Sequence, residues 1–115
     1  MKGIIGVEAG MLASLSEQVL RDLGYAFIKN QGQNMTEFEV REPLHFLIFV
    51  ENLAHAQVGF PFRKRMRIES SLELRPLIGS PEPEEKLHES YEAFFDRLQG
   101  KLPDDKWRIT EALRP

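Results

Sequence analysis

The chain of 115 residues contains no cysteine. That excludes disulfides, thiolate catalysis and zinc held by cysteine, and it fits a cytoplasmic protein. Long apolar runs are missing too. None approaches the ~18 residues that a membrane helix needs. The first ten residues, M-K-G-I-I-G-V-E-A-G, make a poor signal peptide, because Gly6 and Glu8 break an already short apolar run. There is no surplus of positive charge: the formal net charge is −3 and the pI is near 5.6. Phosphate backbones are usually bound by basic domains, so the balance weighs against nucleic acid as the main partner. Motifs of catalysis are also missing. Ser70 and Ser71 lack a nucleophile elbow. No glycine-rich sequence follows a strand as a phosphate loop would. The Glu-rich stretch 82–92 has no oxygen-rich loop pattern and reads as a solvated helix face. No metal, no cofactor and no enzymatic activity are therefore expected.

What is present is ordinary for a soluble globular protein: 42% hydrophobic and 29% charged residues. The length predicts one domain over 1–115, able to bury roughly two thirds of its unfolded surface without staples. The densest apolar stretch is Leu44 to Glu51, L-H-F-L-I-F-V-E. Leu44, Phe46, Ile48 and Val50 share one side of a strand, and Leu47 and Phe49 share the other. A strand apolar on both sides in its middle belongs at the centre of a sheet.

Around it the sequence predicts an α+β fold: a five-stranded antiparallel meander with an N-terminal and a C-terminal helix packed on it. Residues 1–10 read as a short strand or a loose N-terminal arm. Leu12, Leu15, Val19, Leu20 and Leu23 form one helical stripe over residues 11–23, and Gly24 follows where a left-handed cap is expected. The strands are Tyr25 to Asn30, Met35 to Val40, the central strand, His55 to Phe60 and Met66 to Leu74. Matching inward residues sets Phe27 opposite Phe38, Phe38 opposite Phe46 and Val40 opposite Leu44. The same rule sets Ile48 opposite Val58, Phe46 opposite Phe60 and Val58 opposite Ile68. Residues 76–83 form a linker, with Ser80 or Glu82 capping the next helix. That helix, Glu84 to Gln99, carries Leu87, Tyr91, Phe94, Phe95 and Leu98 on one face, and Gly100 ends it.

Three surfaces remain for function. Ile28, Met35, Leu47 and Phe49 cluster on the outward side of the sheet. An apolar cluster there calls for a cover, either a second copy of the chain or its own C-terminal segment. Arg63, Lys64, Arg65 and Arg67, beside Phe60 and Phe62, form the one basic cluster, suited to an anion or to single-stranded nucleic acid. Glu51 and His55 face each other in the expected register as a polar pair. These features, with no catalytic constellation beside them, point to a non-enzymatic interaction module, chaperone-like or an adaptor, that pairs with itself. The alternatives are a small apolar ligand held between sheet and helix, and phosphate or nucleic acid bound through residues 63–67.

Overall fold

The structure, a computed structural model, describes residues 2–53, 69–102 and 107–111. In chain order the elements are β1 (Lys2–Ile5), α1 (Ala9–Asp22), β2 (Ala26–Gln31), β3 (Met35–Glu42), β4 (Phe46–Asn52), β5 (Ser70–Pro76), α2 (Glu84–Gln99) and β6 (Trp107–Glu111). The class is α+β, with an N-terminal helix, a C-terminal helix and an open antiparallel sheet ordered β2-β3-β4-β5-β1-β6.

The expected five-strand meander is instead a meander of four, β2 to β5, flanked on the β5 side by the two short terminal strands. His55 to Phe60 lies outside the described residues, as does the start of the strand expected from Met66. The place beside β4 that His55 to Phe60 was expected to fill belongs to β5. Ile48 stands opposite Leu74, and Phe46 opposite Pro76, rather than Val58 and Phe60. The physical reason is that β5 offers the same inward alternation through Leu72 and Leu74. Alternation fixes which face a side chain takes, not which strand lies alongside.

The other expected pairs are displaced by two residues. Phe27 faces Val40, Phe38 faces Ile48 and Val40 faces Phe46. A slip of two keeps every side chain on its own face, whereas a slip of one would invert them all, so hydrophobic patterning constrains register only to parity. The turns decide the remainder. The β2–β3 connection closes with the Gly32 N–H donating to the Met35 carbonyl at 2.7 Å, and a bulge between Ala26 and Phe27 absorbs a further offset.

Helix α1 buries the stripe of Leu12, Val19 and Leu20 completely and adds Ala13 and Ser16 to it. It ends as glycine predicts. Gly24 has φ 76°, its N–H donates to the Arg21 carbonyl at 3.0 Å, and the Tyr25 N–H donates to the Leu20 carbonyl at 2.9 Å. This is the paired arrangement that satisfies the last helix carbonyls. Helix α2 buries Leu87, Tyr91, Phe94, Phe95 and Leu98 as its spacing requires. Its start corrects the expectation of a side-chain cap. Pro83 occupies the N-cap position, no side chain caps the helix, and Glu84 and Glu85 in the first turn face the positive end of the helix dipole.

Both helices pack on the same side of the sheet. Phe38, Val40, Phe46, Ile48, Val50, Leu72 and Leu74 meet α1 and α2 there in a single apolar core. Phe46 lies at its middle, edge-on to Tyr25 at 6.2 Å and to Tyr91 at 5.3 Å between ring centroids. Among the described residues no helix lies on the opposite side of the sheet, where Leu47 and Phe49 are half-buried and Ile28 and Met35 exposed. No helix among the described residues is long and apolar enough to cross a membrane.

Candidate functional site

The open face of the sheet is built by the outward alternation of β2 to β5. Two cross-strand rows define its centre. One runs Ile28, Glu39, Leu47, Arg75; the next runs Asn30, Glu37, Phe49, Glu73. Met35 stands opposite Glu51 and is therefore diagonal to Phe49. The four apolar residues expected to cluster thus do share one face, but two glutamates of β3 separate Ile28 from the β4 pair. Leu47 and Phe49 are neighbours along one strand, and Ile28 and Met35, 41% and 42% exposed, flank them.

Sequence reasoning missed a second component of this face. The guanidinium of Arg75 lies over the Phe49 ring, 4.4 Å from its centroid. Such a contact is worth about 0.5–1 kcal/mol at an exposed site and more once water is removed. Arg41 adds a second cation, bonded to the Glu39 carboxylate at 3.0 Å. The face therefore pairs an apolar centre with both signs of charge: Glu37, Glu39, Glu51 and Glu73 beside Arg41 and Arg75. The residue-by-residue alternation of β5 was legible, but the expected outward arginines of that strand were Arg65 and Arg67.

The basic cluster Arg63, Lys64, Arg65 and Arg67 lies outside the described residues, and so does His55. Glu51, expected opposite His55, has Met35 and Ser71 as its cross-strand neighbours.

A polar node that the sequence did not reveal joins the linker to the start of β4. The Glu82 carboxylate accepts the His45 backbone N–H at 3.0 Å, lies 3.0 Å from His45 Nδ1, and accepts the Ser80 hydroxyl. The Glu82 side chain is only 12% exposed. The Ser80 hydroxyl, and after it the hydrogen bonds from His45, hold its carboxyl at about 2, well below the ordinary carboxylate value. The three residue types are those of a hydrolytic triad, but the order is wrong for one. Ser80 is bonded to the carboxylate, not to the imidazole, so His45 cannot take its proton. The node pins residues 80–82 to the sheet. No signal in the sequence links His45 to a glutamate 37 positions later.

On α2, the Tyr91 hydroxyl is buried without a hydrogen-bond partner among the described residues. Burial, reinforced by the charge of Glu84, pushes its pKa up. No group of three or more metal-ligating side chains occurs among the described residues.

No family model matches this chain, and no curated protein or solved structure matches it either.

Proposed function

We propose that this protein is a cytoplasmic, non-enzymatic interaction module, chaperone-like or adaptor in behaviour, that pairs with a second copy of itself through the open face of its sheet. The observation that carries the reading is the pair Leu47 and Phe49, in the middle of the central strand with no helix over them among the described residues. Fully burying such a side chain from water is worth about 1.5–3 kcal/mol, and these two are already half-buried, so covering what remains of each contributes part of that. Antiparallel sheets with one solvated face normally present polar residues there.

The charges favour a second copy over a partner of one sign. Arg41 and Arg75 lie on the same face as Glu37, Glu39, Glu51 and Glu73. A two-fold contact needs only one self-complementary patch, and a face that carries arginines and glutamates together offers each arginine a carboxylate partner on the other copy.

Sedimentation tests the reading. At tens of micromolar the wild type is expected to run at twice the chain mass of 13.3 kDa, and Phe49→Glu as a folded monomer. A wild type that sediments as a single chain overturns it.

A further inference from the structure

The sheet ends at β2, which has β3 on one side and no strand on the other among the described residues. The turn fixes which of its backbone groups are left over. Gly32 and Met35 form a hydrogen-bonded pair, since the Gly32 N–H donates to the Met35 carbonyl at 2.7 Å. Antiparallel strands alternate such pairs with pairs whose backbone groups point away from each other. Counting on from Gly32, Asn30 bonds to Glu37 and Ile28 to Glu39. Phe27, Lys29 and Gln31 stand opposite Val40, Phe38 and Thr36 in the pairs that do not bond. The backbone N–H and C=O groups of Phe27, Lys29 and Gln31 therefore point out of the edge of the sheet.

Such a row of donors and acceptors is a template for another strand, and proteins commonly blunt it with proline, a bulge or charge. Here β2 holds no proline, and its bulge lies at its start, between Ala26 and Phe27. Its one charged residue, Lys29, is drawn towards α1 by the Glu17 carboxylate at 3.1 Å. The two sides of the edge differ in charge. On the helix side, Glu17 is shared between Lys29 and Arg21, the latter at 2.7 Å, which leaves one positive charge in surplus. Arg21 also lies over the Phe27 ring, 5.4 Å from its centroid. On the open side, Ile28 and Asn30 are uncharged, with Glu39 and Glu37 beyond them on β3.

We propose that β2 accepts an extended segment of another protein as a further antiparallel strand, acidic on the helix side and apolar on the open side. Main-chain hydrogen bonds hold such a segment, and its alternate side chains are read by the two sides of the edge. The surplus cation of the Lys29–Glu17–Arg21 group suits acids on the helix side. Ile28, 41% exposed, suits an apolar neighbour on the open side, where Glu37 and Glu39 repel acids. A second copy of β2 is the poorer occupant. Matching the outward groups of two antiparallel β2 strands sets Lys29 opposite or diagonal to Lys29 of the other copy, and like charges so placed repel. The edge is made within one chain, so it goes beyond pairing through the open face and does not depend on it.

The test is amide hydrogen exchange of the ¹⁵N-labelled full chain, alone and with a capped peptide as long as β2 that alternates valine and glutamate. In the free protein, Lys29 and Gln31 are expected to exchange fast and Ile28 and Asn30 slowly. The peptide should slow Lys29 and Gln31 saturably. N-methylation of its glutamates, whose N–H groups face β2 in the antiparallel register, should abolish the effect, and N-methylation of its valines should not. Gln31→Pro removes an outward N–H and keeps the bonds to β3, so it should weaken binding by about fivefold, the worth of one hydrogen bond. Phe49→Glu should bind the peptide as the wild type does, which separates this contact from pairing through the open face. Slow exchange at Lys29 and Gln31 in the free protein overturns the proposal, by a second copy if dilution removes it and by the chain itself if not. Exchange that the peptide does not slow, equal effects of the two N-methylated peptides, or lost binding in Phe49→Glu also overturn it. Tighter binding of the peptide with lysine in place of glutamate overturns the assignment to an acidic segment.

Discussion

Phe46 shows how one side chain can be read from sequence in its role but not in its neighbours. Its burial follows from its place in the most apolar stretch, and it is fully buried. Its ring partners, Tyr25 before β2 and Tyr91 on α2, come from segments far apart in sequence and could not be assigned from periodicity. Phe46→Ala is expected to destabilise the fold by roughly 3–5 kcal/mol, as lost transfer energy plus the cavity left behind. Urea unfolding measures this, and an unchanged midpoint would be incompatible with the packing described. Glu82 is the opposite case, invisible in the sequence and specific in the structure. Its carboxyl is depressed from 4.5 to about 2 in the folded protein. A depressed carboxyl adds stability that is fully present above the unfolded value near 4.5 and is lost as pH falls towards about 2. Glu17, lowered by Arg21 and then Lys29, acts in the same direction. The informative comparison is therefore between wild type and Glu82→Gln. Their urea midpoints should differ at pH 6 and converge by pH 2. A gap that stays constant across that range would remove the node from the account.

Elements were legible where one local signal sufficed. The stripes of α1 and α2 give their spans within two residues, and Gly24 marks the end of α1 by a conformation that other residues adopt at a cost. A Cβ at Gly24 would meet nothing within 4 Å, so the penalty for Gly24→Ala is the positive φ alone. It is expected to be about 1–2 kcal/mol, and Gly24→Asn should cost less. Thermal unfolding of the two variants checks both the size and the order. Strand pairing was legible only in part. Parity placed Phe38, Val40, Ile48, Val50, Leu72 and Leu74 on the core side correctly, because one face must be apolar. The choice between neighbours two residues apart rests on turn geometry, and the choice of β5 over His55 to Phe60 beside β4 rests on long-range packing. Neither leaves a trace in hydrophobic periodicity. Residues 2–5, open as strand or arm in the sequence, gain their order from two partners, β5 and β6, that lie far along the chain.

At the scale of the whole molecule, the two helices among the described residues cover one side of the sheet, and the other side has an apolar centre ringed by both signs of charge. The sequence identified the four apolar residues of that face. It did not reveal Arg75 over Phe49, because a cation–π contact depends on which strand becomes the neighbour of β4. The central claim is that the open face is the contact between two copies. A mixed sample of isotope-labelled and unlabelled chains, examined by isotope-filtered nuclear Overhauser spectroscopy, tests it most directly. The account predicts contacts between chains at Leu47 and Phe49, and none at Met11 or Gln18 on the exposed side of α1. Contacts between chains that involve the helices and leave Leu47 and Phe49 untouched would contradict it.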